Sequence, residues 1–240
     1  AVNIVDADAC VITSIGIDHT EWLGDTRELI AVEKAGVARH GRPVVVAEED
    51  PPSTLRSHLE GLGAIGYWLG EQWTFTDSCL TLPDSSHYEL PSLPALQPSN
   101  LGAAVTVLSI LGLGLEQEEI SNGLAGLMVP GRRQVLRFAD RSWWFDVAHN
   151  QEAVAKLAEA LATSSAGTHT HAIFGAMADK PLRAMIELMV PGIASWHLPE
   201  HQGVTRAATS RDLESLIVAA SGQANVHCHG SPGAAFDAVQ

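Results

Sequence analysis

The segment TSIGIDHTEWLGDTRELIAVEKAG, residues 13–36, sets Asp18 and His19 directly after an apolar run and puts Lys34 beside Glu33 on a helical stretch. A carboxylate and an imidazole just past the carboxyl end of a buried strand stand where open α/β sheets collect ligands. There His19 could bind a metal or a phosphate, or it could be a solvated or capped loop histidine. Lys34, one of three lysines in the chain, could serve such a site, although a salt link or dipole partner at a helix C-terminus is the ordinary reading of such a residue. Asn100, closing QPSN, is either a helix cap or an amide that reads a base. PGRR at 130–133 offers Arg132 and Arg133 beside a turn, as a charged linker or as a phosphate clamp that moves with the domains. FDVAHN at 145–150 puts Asp146, His149 and Asn150 at a second strand end before a helix. Two polar strand ends facing one interdomain hinge favour a cleft without naming a reaction.

The elements that must position these groups can be read from apolar periodicity. ACVITSI (9–15) and PVVVAEE (43–49) are β-branched runs of strand length, separated by a helix in DTRELIAVEKAGV, with Asp25 and Glu28 spaced as a capping box. A helix follows from Ser53 to about Leu62. From Trp68 to Leu96 the composition predicts a small antiparallel excursion. An apolar helix at 101–111, capped by Ser99 or Asn100, and a second helix in EQEEISNGLAGL come next. The Pro-Gly turn then predicts a domain boundary near Pro130. Beyond it SWWFDVA, THAIFGA, IASWHL and ANVHC alternate with helices at 151–161, 181–190 and 210–220, predicting a mostly parallel, Rossmann-like sheet. No G-x-G-x-x-G occurs, so nothing points to a dinucleotide.

The totals narrow the class. With 240 residues, 46% apolar and 18% charged, the chain suffices for two modest cores. Twenty-eight acidic against 14 basic residues give a net charge of -14, which repels nucleic acid while leaving room for a small anion held locally. Cys10, Cys79 and Cys228 have neither metal-ligand nor disulfide-framework spacing, which suits a reducing compartment. The longest apolar stretch, 101–115, is too short and too interrupted by glycine to span a membrane, and no export signal is evident. A cytoplasmic, membrane-free monomer is expected. The first residues, AVNIVDAD, read as joining a fold already under way and SPGAAFDAVQ starts a helix late, so a fragment of something longer is expected.

Taken in order, the 13–36 segment, QPSN, PGR, DVAHN and GAMADK resemble the folylpolyglutamate synthase and dihydrofolate synthase family of the Mur ligase superfamily, ATP-dependent amide ligases. DHTEWLG is most similar to the bacterial bifunctional form. The resemblance implies an α/β chain: residues 1–130 as the C-terminal portion of the P-loop ATP-binding (Mur ligase central) domain, then residues 131–240 as the Rossmann-like, glutamate-binding C-terminal ligase domain. It implies that His19 binds Mg2+ and that Lys34 is carbamylated, which turns an ammonium that repels a cation into an oxygen ligand. Asn100 would contact adenine and Arg132 an ATP phosphate. Asp146 and His149 would lie by the nucleotide. Dihydropteroate, reduced folates and L-glutamate are the implied partners, and an acyl phosphate the implied intermediate. Gln151 and Pro181 depart from the family pattern and bear on local loop geometry. The Gly-rich phosphate loop and a metal-binding glutamate would lie upstream of residue 1 and a closing strand and helix beyond Gln240, so residues 1–240 alone are expected to be inactive. Two rivals stand beside this: a related ligase acting on a peptidoglycan precursor, and a noncatalytic two-domain interaction module.

Overall fold

The computed structural model describes residues 2–17, 23–76, 78–91, 93, 96–138, 140–164 and 169–240. Its contacts divide into two units, Ala1–Pro130 and Gly131–Gln240.

In the first unit β1 (Cys10–Ile12), β2 (Pro43–Val46) and β3 (Ile65–Trp68) form a parallel sheet in that order, with Val11 opposite Val45 and Val45 opposite Tyr67. The crossovers are α1 (Arg27–Ala35) and α2 (Ser53–Leu62). Two right-handed crossovers in the same direction put both helices on one face, and α1 and α2 do pack together. The alternation along β2 explains the unbroken valine run. Val44 and Val46 face Ile30, Ala31, Leu55 and Leu59, whereas Val45 joins Trp73, Leu80 and Ala103 in a second cluster. A strand buried on both faces needs apolar residues at every position, and β-branched ones suit the pleat.

The second cluster is closed by α3 (Pro98–Ile110). A Cβ at Gly102 would stand 2.9 Å from the Trp73 ring, so glycine there lets α3 approach that indole. β4 (Thr74–Thr76), β5 (Cys79–Thr81) and β6 (His87–Glu89) form a separate antiparallel meander, and α4 (Gln117–Leu124) carries a capping box between Glu116 and Glu119.

Three local expectations are corrected here. The excursion begins later than Trp68, because Ile65–Trp68 is the third parallel strand. The α1 cap is Thr26, whose side chain accepts from the Leu29 amide, not Asp25. Neither Ser99 nor Asn100 caps α3: its cap residue is Gln97, Pro98 occupies the first turn, and Asn100 is already helical. Proline fits a first turn because the amide it lacks would have had no partner within the helix.

In the second unit β7 (Gln134–Phe138) and β8 (Arg141–Phe145) make an antiparallel ribbon. β9 (His171–Ile173), β10 (Ser195–Pro199) and β11 (Val226–His229) form a parallel sheet in the order β11-β10-β9. The SWWFDVA strand therefore belongs to the ribbon and not to the parallel sheet, a departure from the expected alternation. The helices are α5 (Gln151–Ser164), α6 (Leu182–Met189), α7 (Ser210–Ser221) and α8 (Pro232–Val239). Trp196 and Leu198 of β10 pack with Ile186, Leu213 and Ile217 of α6 and α7. None of the described helices is long and apolar enough to cross a membrane.

The alternate residues of β10 carry a polar row. Ser195 Oγ lies 2.6 Å from His171 Nδ1 and 3.2 Å from His197 Nε2, and His197 Nδ1 lies 3.0 Å from His229 Nε2. The His197 ring stacks on both His227 and His229. Burial of His197, followed by repulsion from His227, His229 and His171, holds its imidazole below the usual histidine range. The sign follows directly: the unfolded chain binds the proton first, so stability present above about pH 6.5 declines as pH falls below it. Urea midpoints measured between pH 7.5 and 5.5 should fall on acidification, and His197→Phe should flatten that dependence.

Candidate active site

The candidate side chains stand at two strand ends, one in each unit. In the first, β1 ends at Ile12 and residues 13–17 leave the sheet beneath the last turn of α1. Lys34 sits in that turn, half-buried, and its Nζ donates to the Ser14 carbonyl at 3.1 Å. Thr13, Leu23, Val37 and Lys34 line a cavity of about 280 Å3 beside it. The lysine thus addresses the β1 exit and not open solvent. Asp18 and His19 lie outside the described residues, so their positions relative to Lys34 are not part of this geometry.

Two groups that motif reading passed over hold the same segment. Glu48, at the carboxyl end of β2 and 11% exposed, accepts the Ile15 amide at 2.5 Å and the Asp50 amide at 3.1 Å. Arg27 donates Nε to the Ile15 carbonyl at 2.9 Å, approaches Glu48 at 3.4 Å and also binds Asp50. The available signal was positional: Glu48 follows the valine strand as His19 follows the isoleucine strand.

In the second unit Asp146 follows β8. Its Oδ2 accepts the Arg133 amide at 2.8 Å and its Oδ1 the Ala148 amide at 2.7 Å. The Val147 amide donates to the Gly131 carbonyl at 2.8 Å. The carboxylate therefore organises the PGRR turn, in which Arg133 adopts a left-handed φ of 42°. Such a conformation persists in a non-glycine residue only where the surroundings hold it. Arg132 is exposed on the same turn. His149 Nδ1 lies 2.8 Å from the Val147 carbonyl, and since a carbonyl only accepts, that ring nitrogen is the donor. Asn150 Oδ1 accepts from the Ala153 amide at 2.9 Å, and α5 starts at Gln151 directly after it. Asp179 pairs with Arg206 at 3.2 Å, and Pro181 is the cap residue of α6.

Asn100 lies in the first turn of α3, partly exposed. The structure thus gathers Lys34 with Glu48 and Arg27, and Arg132 with Asp146 and His149, each within its own unit. Among the described residues, no group of three or more His, Cys, Asp or Glu side chains could hold a metal ion. A cation at the β1 exit would need further donors, and Lys34 fits one only if its ammonium has become an anionic group.

Comparison with known proteins defines the class. Residues 131–240 match the family described as Mur ligase, glutamate ligase domain. The chain is 34% identical over 220 residues to the dihydrofolate synthase/folylpolyglutamate synthase of Escherichia coli K12, covering 90% of this chain and 52% of that protein. It superposes on E. coli FolC in complex with DHPP and ADP with a TM-score of 0.87 and 32% identity, covering 99% of this chain and 56% of that one. A bifunctional folylpolyglutamate synthase/dihydrofolate synthase with Mn, AMPPNP and L-glutamate bound gives a TM-score of 0.86 at 31% identity, covering 99% of this chain and 56% of that one. The α/β fold is that of the central and C-terminal domains of Mur ligases. Within that superfamily the chain belongs to the dihydrofolate synthase/folylpolyglutamate synthase family. It spans about half the length of the curated relatives it matches.

Proposed function

We propose that the full-length protein carrying this chain is an ATP-dependent amide ligase. It joins L-glutamate to dihydropteroate and to reduced folates, as a cytoplasmic monomer. The observation that carries this reading is the likeness, across nearly the whole chain, to bifunctional synthases bound to a nucleotide and either DHPP or L-glutamate. In this assignment residues 1–130 are the C-terminal portion of the ATP-binding domain and residues 131–240 the glutamate-binding ligase domain.

The reaction class balances simply. The terminal phosphoryl group of ATP passes to the substrate carboxylate, giving an acyl phosphate and ADP. The glutamate amine adds to the acyl carbon, loses a proton, and collapse expels phosphate and leaves the amide. Arg132 would hold a phosphate oxygen through its planar fork of donors, and Asn100 would offer its amide to adenine. Asp146 keeps the Arg132 turn in shape, while His149 would present Nε2 toward the nucleotide. His19 and a carbamylated Lys34 would hold Mg2+, whose contribution is to neutralise charge on phosphate oxygens.

The deciding assay follows Mg2+-dependent ADP release together with glutamate incorporation into dihydropteroate and tetrahydrofolate. Incorporation into a muramyl precursor but neither pterin would overturn the substrate assignment. Arg132→Ala should lower kcat/KM for ATP by about tenfold, as expected for one lost charge-assisted bond. Because Arg132 is exposed, the unfolding free energy of the variant from urea titration should stay within about 0.5 kcal/mol of the parent.

A further inference from the structure

The carbonyl of Ser14 and the amide N–H of Ile15 belong to one peptide group. Lys34 Nζ donates to that group's oxygen at 3.1 Å, and Glu48 Oε2 accepts from its N–H at 2.5 Å. With Lys34 unmodified, a cation on the oxygen and an anion on the N–H polarise the peptide in the same sense, so each bond strengthens the other. The next carbonyl along, that of Ile15, receives Arg27 Nε at 2.9 Å, and Arg27 leans back on Glu48 at 3.4 Å. The Ile15 side chain, 2% exposed, is anchored in the core below. The peptide is thereby held at its oxygen and at its N–H, with the next peptide pinned by Arg27, and the Lys34 amine takes its place from that arrangement.

We propose that Glu48 is a positioning residue, which acts through the Ser14–Ile15 peptide to set where the Lys34 amine stands. Its significance for catalysis rests on the reading of Lys34 given above; the geometric claim does not. Glu48 does not itself touch the reacting atoms in this account. It is 11% exposed and also takes the Asp50 amide, so the β2 exit is tied to the β1 exit through one carboxylate. Arg27 closes the arrangement by binding the Asp50 side chain and carbonyl.

The three lysines of the chain make a direct test. Purified protein is treated with limiting acetic anhydride, and acetylation of Lys34 is measured by peptide mass spectrometry as a ratio to Lys156 and Lys180. In Glu48→Ala the Lys34 ratio should rise about tenfold, the scale of losing a bond to a charged group. In Glu48→Gln, which keeps an acceptor oxygen but no charge, it should rise about threefold. Hydrogen exchange at Val44–Val46 monitors whether the first sheet stays closed. Should Glu48→Ala open that sheet, Glu48→Gln decides alone. A parental Lys34 ratio in the folded variants would overturn the proposal. In full-length protein, kcat should fall and the Mg2+ concentration for half-maximal activity should rise in Glu48→Ala, with partial recovery in Glu48→Gln. A raised labelling ratio with these parameters unchanged would keep the positioning claim and remove Lys34 from the reaction.

Discussion

Lys34→Ala in the full-length protein is expected to lower glutamate incorporation by about 100-fold or more, the scale seen when one preorganised electrostatic group is removed from a reaction centre. The amine is half-buried at the β1 exit, where it meets the Ser14 carbonyl. Lys34→Arg separates the two chemistries the residue could provide. If an ammonium is what matters, arginine keeps the positive charge and should retain a good part of the rate. If the carbamate is what matters, arginine cannot form it and should be as poor as alanine. The second outcome is expected, together with a carbon dioxide adduct on wild-type Lys34 that is lost on acidification. Arginine at or near the parental rate would refute the carbamate role.

Asp146→Ala should destabilise the second unit by about 3 kcal/mol, because two buried-side bonds to a charged acceptor disappear together. Arg133 and Ala148 would lose the carboxylate that accepts their amides, and the left-handed Arg133 would lose its restraint. Asp146→Asn retains one acceptor oxygen and should cost roughly half as much. Both should also depress turnover by letting the Arg132 turn move. Urea titration followed by Trp143 and Trp144 fluorescence reads the first effect, and steady-state ATP kinetics the second. Turnover lost without any loss of stability would mean that Asp146 acts on the nucleotide directly and that its backbone bonds are incidental.

Those contrasts bear on what could be read from residue order alone. The valines of β2 were legible because a strand covered on both faces leaves an unmistakable composition. Residues 142–148 were not, since an antiparallel ribbon and a parallel strand draw on the same β-branched and aromatic residues, and pairing is decided by partners far along the chain. Asn100 misled as a cap because Ser and Asn are favoured there, while Pro98 two residues earlier had already started the helix. The candidacy of Lys34 was visible only through its motif, for its acceptor in the fold is a backbone carbonyl without side-chain identity. Glu48 left only its place after the valine strand and Arg27 no pattern of its own: 21 positions separate them, and both bind the backbone of Ile15.

The strand orders β1-β2-β3 and β11-β10-β9 follow the chain without a skip. Among the described strands, β2, β3, β10 and β11 therefore each pair with the strand of their sheet made just before them. About 30 residues separate Ile12 from Pro43, which at ribosomal speeds is roughly two to six seconds of synthesis. When β2 leaves the ribosome, β1 and α1 are already available, and the same holds for β3 with β2 and α2. Among the described strands none is separated from its neighbour by one that arrives later, so the loops closed at each of these steps stay short and the cost of parallel pairing is met in small increments. A circular permutation that cut between β1 and β2 would destroy that sequence of events while leaving every native contact available, and slower refolding at similar stability is its expected signature.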